Sequence, residues 1–444
     1  MTGIALLGLG IAAIAVLLVL VIWARVPAFL ALLIVAIATA VLSGIPLAES
    51  VGVVTKGIGN TLGSVIVVVG LGAMLGRMIE VSGGADALAR YFTKMLKPTR
   101  VIAAIVSAAF ILGIPVFFDV GFIILAPIIF GFARVAGIHP LKIGMPVAGA
   151  LLTVHVALPP HPGPVAAAEI VGADIGTMLA IGLPIAALTT VIGYFAAKLF
   201  KLGEYELSDS PAMEQPEAVN NPPSAWTVIG LILLPILQIL IGTGGALITE
   251  EGSTAHSIIA FVGSAPVALI VAVVVAWFVL GRQQQWSLSQ GSSVIDSALP
   301  AVAIIIFVTG AGGGFANVLV ESGIGQVLSD MLVATNMPLI VMAYVMALAL
   351  RAAQGSATVS MLTTGGLLAT SIAEAGLGGA ETALIALATG FGALGLSHVN
   401  DSGFWIVTKY QGLSVKQGLK TWTVLSTVFS LAGFAISAGV YAVL

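Results

Sequence analysis

Apolar runs of bilayer length recur from one end of the chain to the other, separated by short polar or glycine-rich stretches. The pattern predicts apolar helices at about 4–22, 26–44, 61–79, 141–158 and 175–200. It resumes at about 226–242, 258–279, 298–320, 380–397 and 417–442. Each run approaches the ~20 residues that a helix needs to cross ~30 Å of hydrocarbon. Between these blocks, Lys201–Ala225 carries Glu204, Glu206, Asp209, Glu214 and Glu217 with four prolines, the composition of a solvated loop. The pattern therefore divides into residues 1–200, a linker at 201–225, and residues 226–444.

Two segments break the pattern. Residues 100–112 and 122–138 are apolar but are parted by Gly113-Ile114-Pro115-Val116-Phe117-Phe118-Asp119-Val120-Gly121. A first arm of about 13 residues reaches only ~20 Å as a helix, which suits a re-entrant hairpin better than a full crossing. A counterpart lies near 338–372, broken at Gln354-Gly355-Ser356-Ala357-Thr358. The two blocks align without a gap at an offset of 240, which sets Gly70 on Gly310, Ser82-Gly83 on Ser322-Gly323, and Gly163 on Gly403. The breaks fall in register too, Gly113–Gly121 over Ala353–Met361 and Pro159–Gly163 over Val399–Gly403. The predicted fold class is an all-α polytopic membrane protein of two inverted-topology repeats. Each repeat has about five transmembrane helices and a re-entrant hairpin, with broken helices at the midplane.

Composition agrees with the pattern. Hydrophobic residues make up 59% of the 444 positions and charged ones 8%, with a mean hydropathy of +1.16, too few charges to clothe a water-facing globule. There is no cysteine, so disulfides and thiolate chemistry are excluded, and no basic aromatic patch points to nucleic acid. An odd number of crossings per block makes the second insert upside down. Tracing the chain that way puts every Lys and Arg except Lys56 and Arg351 on one side, which the positive-inside rule makes cytoplasmic. Both termini are then expected outside and the linker inside.

Candidate chemistry lies in four breaks: the Gly113–Gly121 tip, Pro159–Pro164, Gln354–Thr358 and Ser397–Gly403. An opened helix frees backbone N–H and C=O groups that are tolerable in a membrane only against protein, water or ligand. Half-helix N-termini carry partial positive charge suited to a carboxylate. Asp119 and Asp401 are intramembrane carboxylates, a residue type usually functional there. His155 and His161 could equally be a satisfied core histidine and a helix cap. Arg351, in an apolar arm, requires either an acidic partner or a bound anion. The run Gly310–Gly314 reads as close helix packing rather than a phosphate loop. An intramembrane hydrolase using His155, His161 and an aspartate is disfavoured, because no His-Glu-x-x-His or Gly-x-Ser-x-Gly pattern occurs. The chain is read as a non-enzyme.

With these residues in view, the chain resembles the gluconate permease family of the ion-transporter superfamily. The resemblance rests on Gly70–Arg77, Gly113–Gly121, Pro159–Pro164, Arg351–Thr358 and the segment His398-Val399-Asn400-Asp401-Ser402-Gly403-Phe404-Trp405. It implies proton-coupled uptake of gluconate or a related small hydroxylated acid across a bacterial inner membrane, the family also including carriers of D-serine. On that reading the substrate carboxylate rests on the tip Gln354, Gly355, Ser356 and Thr358, helped by Arg351. Asn400, Ser402 and His161 read its hydroxyls, while Asp119, Asp401 and His155 handle the proton. No cofactor or metal is implied; H⁺ is the expected coupling ion, with Na⁺ as the alternative. The expected partners are a small organic anion and the lipid bilayer, with a homodimer as a further expectation.

Overall fold

The computed structural model describes residues 3–95, 98–114, 116–159, 161–207, 219, 221–247, 249–250, 252–333 and 337–444. Pro115, Pro160, Lys97 and most of the linker acids lie outside the described residues.

The first block begins with α1 (Gly3–Leu18, extended by a π turn Val19–Trp23), α2 (Ala28–Ser43), α3 (Leu47–Val81) and α4 (Gly84–Met95). It continues with α5 (Pro98–Gly113), α6 (Phe118–Ala136), α7 (Leu141–Ala157), α8 (Pro162–Val171) and α9 (Ile175–Ala197). Past the linker come α10 (Ala225–Leu247), α11 (Thr254–Val262), α12 (Ala265–Gln283), α13 (Leu288–Asp296), α14 (Leu299–Glu321) and α15 (Ile324–Val333). Then follow α16 (Leu339–Gln354), α17 (Ala357–Glu374), α18 (Gly379–Leu394), α19 (Ser402–Tyr410) and α20 (Val415–Gly418). A π turn at Leu419–Thr423 leads into α21 (Val424–Tyr441). Among the described residues there is no strand. Among the described residues, eight helical runs are long and apolar enough to cross a bilayer, nine if bent α3 counts as one span.

Element positions repeat. Adding 240 to the first residues of α4, α5, α6, α7 and α8 gives 324, 338, 358, 381 and 402. Helices α15 to α19 begin at 324, 339, 357, 379 and 402. By the same shift α3 corresponds to α13 with α14, and α9 to α20 with α21.

Helices α3 and α14 form the longest interface and run antiparallel. Lys56 Nζ meets Glu321 Oε1 at 3.5 Å near one end, and Arg77 Nε donates to Ser297 Oγ at 3.1 Å near the other. At the Lys56 end, Asn317 Nδ2 also donates to Val53 O at 2.8 Å. Glycine makes the seam. A Cβ on Gly313 would lie 2.0 Å from Thr61 Oγ1, and one on Gly57 would lie 2.5 Å from both Asn317 Cβ and Gly313 O. This is the small-residue packing expected of Gly310–Gly314. Antiparallel contact between shift-related helices is the relation that an inverted duplication requires.

Three expectations about elements need correction. The helix expected at 61–79 starts at Leu47, because Glu49, Thr55, Lys56 and Asn60 gave its first turns the look of a loop. The run at 258–279 is two helices, since Gly263-Ser264 ends α11 and starts α12. The short, more polar α4, α13 and α15 had no counterpart in a reading tuned to apolar runs.

Candidate functional site

Each break ends one helix and starts another with its N-terminus turned inward. Gly355 sits at φ +76°, which reverses the chain after α16, and a Cβ there would lie 2.2 Å from Asn400 O. That position admits only glycine. Ser356 then caps α17 by accepting from Val359 N at 3.3 Å. Asp401 caps α19 by accepting from Gly403 N at 3.0 Å on Oδ1. His161 occupies the N-cap of α8, where Pro162 supplies a pre-set φ and gives up a donor that would have no partner. Phe117 stands before α6 with no side-chain cap.

The four starts meet in two crossed pairs. Helix α17 packs on α8, and α6 packs on α19. A Cβ on Gly163 would lie 3.5 Å from Thr358 Oγ1, and one on Gly403 would lie 3.0 Å from Phe118 Cε1. Residues 163 and 403, and 118 and 358, are each related by the shift of 240. Each hairpin tip thus rests on the broken helix of the other block, and four helix N-termini, each with donors and partial positive charge, come together.

The second block closes its break with charge. Arg351 and Asp401 are 2% and 3% exposed, and Arg351 Nη2 reaches Asp401 Oδ2 at 2.5 Å. Arg351 Nη1 donates to Gly355 O, and Ser397 Oγ donates to Asp401 Oδ2. Trp422 Nε1 donates to Ser397 Oγ at 2.8 Å, while Thr423 Oγ1 donates to Ser397 O at 2.6 Å. The π turn at Leu419–Thr423 carries both residues; its shift-related stretch in α9 is regular helix. The Trp422 ring also stacks on Phe118 at 6.2 Å, tying this network to the first hairpin. Asn400 Nδ2 donates to Ala352 O at 2.8 Å and to Ala353 O at 3.0 Å, and the His398 ring bonds Ala352 O at 2.8 Å.

The first block closes its break without charge. His161 Nε2 donates to Gly113 O at 2.7 Å. The His155 ring packs edge-on against His161 with centroids 4.7 Å apart, and Phe117 covers His161 at 5.7 Å. His155 Nδ1 is buried with no partner among the described residues. Asp119, in the first turn of α6, is half-buried and has neither hydrogen bond nor ion pair among the described residues. The nearest charges to it are Asp401 and Arg351.

The residues singled out in the sequence thus fall at the four breaks. Of the two partners open to Arg351, the structure supplies the acid, Asp401. Among the described residues Gln354 Oε1 and Asn400 Oδ1 are buried without a donor, while Thr358 and Ser402 are half-buried at the starts of α17 and α19. Sequence reasoning missed Ser397 as a partner of Asp401, and missed Trp422 altogether. Trp422 lies inside an apolar run that carries no local sign of a polar partner, and it is fully buried.

Known proteins place the chain. An inner membrane permease of Escherichia coli, YgbN, is 51% identical over 100% of both chains. A gluconate permease of Pseudomonas aeruginosa is 36% identical, covering 92% of this chain and 91% of its own. The Gnt-II system L-idonate transporter of E. coli is 35% identical, covering 95% of this chain and 96% of its own. Residues 4–444 match the family described as GntP family permease. The protein is a multi-pass membrane permease, not an enzyme, and it belongs to the GntP permease family.

Proposed function

We propose that this permease carries gluconate, or a closely related small hydroxylated carboxylate, into the cell with a proton. Transport is by alternating access of two inverted halves in a bacterial inner membrane, with both termini outside. One observation carries the reading: four helix N-termini meet in crossed pairs, so their amide donors converge on one place. Arg351 is committed to Asp401, so the substrate carboxylate rests on the amides that open α17 and α6, with Thr358 beside them. The free Oδ1 of Asn400 and the side chains of Gln354, Ser402 and His161 are the groups for its hydroxyls. Asp401 holds the site together. Asp119 is the group free to take and release a proton without breaking a bond, and His155 stands next to His161 as its companion. The names borne by relatives, gluconate permease and L-idonate transporter, support a sugar acid as cargo.

A sodium-coupled version rests on one feature, the buried oxygens Asn400 Oδ1 and Gln354 Oε1 without donors, which suit a hard cation. Uptake of radiolabelled gluconate into proteoliposomes separates the readings. Accumulation under an inside-alkaline gradient without Na⁺ is expected. Accumulation that needs a Na⁺ gradient at fixed pH would replace the proton, and uptake of neither gluconate nor idonate would remove the substrate class.

A further inference from the structure

Away from the breaks, at the end of the bundle expected to face the cytoplasm, α5, α7 and α9 enclose a cavity of about 190 Å³. Its walls are apolar, with Ile102 from α5, Pro146 from α7 and Ala197 from α9. Its mouth is not. Lys142 and Lys198 line it, both exposed, and neither has a carboxylate partner among the described residues. The neighbouring Lys201 is engaged with Glu204 at 3.2 Å. Lys198 Nζ is held 4.3 Å from the centroid of Tyr194, a third lining residue, and 4.7 Å from that of Phe195. Along α9, Leu188, Val191, Ile192 and Phe195 are exposed, an apolar flank that faces hydrocarbon. The cavity therefore sets apolar walls beside two ammonium groups that have no carboxylate partner among the described residues.

We propose that this cavity binds an anionic phospholipid of the cytoplasmic leaflet. Its phosphate sits between Lys142 and Lys198 and its glycerol and first methylenes lie against Ile102, Pro146 and Ala197. Charge complementarity names the occupant: a zwitterionic lipid brings its own cation to a mouth that already has two, and an anionic one does not. Helix α7 runs from Lys142 to His155, so a lipid held here braces the far end of the helix that leads into the first break.

The test reads thermal denaturation of the purified full chain in detergent, and is independent of what the permease transports. Mixed micelles containing phosphatidylglycerol should raise the midpoint saturably, and phosphatidylcholine should not. The K142Q/K198Q variant should bind phosphatidylglycerol about 30-fold more weakly, roughly fivefold for each lysine. Both side chains are exposed, so folding should survive. The K416Q/K420Q variant loses the same charge elsewhere on that face and should keep wild-type affinity. Equal loss in both variants would assign the effect to surface potential and overturn the site. A midpoint rise produced equally by millimolar inorganic phosphate would overturn the lipid, as would no response to phosphatidylglycerol.

Discussion

The two breaks that follow α7 and α18 occupy the same place in their blocks and hold the same target, yet they are filled in opposite ways. In the first, His161 bonds Gly113 O; in the second, Asn400 bonds Ala353 O, and residues 113 and 353 are related by the same shift of 240. Beyond that common tether the second break has a buried ion pair with both carboxylate oxygens of Asp401 bonded. The first has a histidine pair packed on a hairpin tip whose Asp119 has neither hydrogen bond nor ion pair among the described residues. The same shape occurs twice with different side chains: one break is held by charge, and on the proposed reading the other is left open to proton exchange. Removing an ion from a braced site should damage the fold, and removing one from the open site should damage only transport.

The largest effect should come from Arg351→Met, which leaves Asp401 buried and unpaired and should lower stability by about 3–5 kcal/mol. The paired variant Arg351→Met with Asp401→Leu should recover much of that loss. Denaturation midpoints in detergent measure both, and an unchanged midpoint in the single variant would mean the second break is not braced by charge. Next is Trp422→Phe, which keeps a ring to stack on Phe118 but removes the N–H that reaches Ser397, for about 1–3 kcal/mol. No loss in Trp422→Phe beside a large one in Trp422→Ala would show that the ring, not the hydrogen bond, matters.

The crossed glycines sharpen the contrast further. Gly403→Ala presses on Phe118, whose ring is fixed between Phe122 and Trp422, and should cost about 1–3 kcal/mol. Gly163→Ala meets the flexible end of Met361 at 3.2 Å and should cost less than about 1 kcal/mol. Equal midpoints would erase the difference between the two crossings. Smallest in stability is Asp119→Asn, expected within about 0.5 kcal/mol of wild type because no bond is lost. The same variant should lose pH-gradient-driven accumulation in proteoliposomes, and accumulation at the wild-type level would take the proton away from Asp119.

The breaks were legible because glycine, proline and polar side chains interrupt otherwise apolar sequence, and their spacing repeats. The seam glycines were legible for the same reason. What could not be read is any link that the chain makes across distance. Arg351 and Asp401 are fifty positions apart, and either an acid or a bound anion would have satisfied the guanidinium. Ser397 and Trp422 meet only because a π turn advances the start of α21, and no local pattern announces that turn. The early turns of α3 hid for a different reason: a helix packed along one face on another helix can carry the exposed Lys56 and Asn60 near its start without the apolar run that marks a span.

The seam between α3 and α14 has a mechanical consequence. Two backbones separated by little more than hydrogen cannot slide, since moving either by one position would drive the branched side chains of Val54 or Ile58 into the neighbouring chain. On the proposed alternating-access reading this pair is the fixed post of the molecule, and the displacement that carries cargo across the bilayer belongs to the helices hung around it.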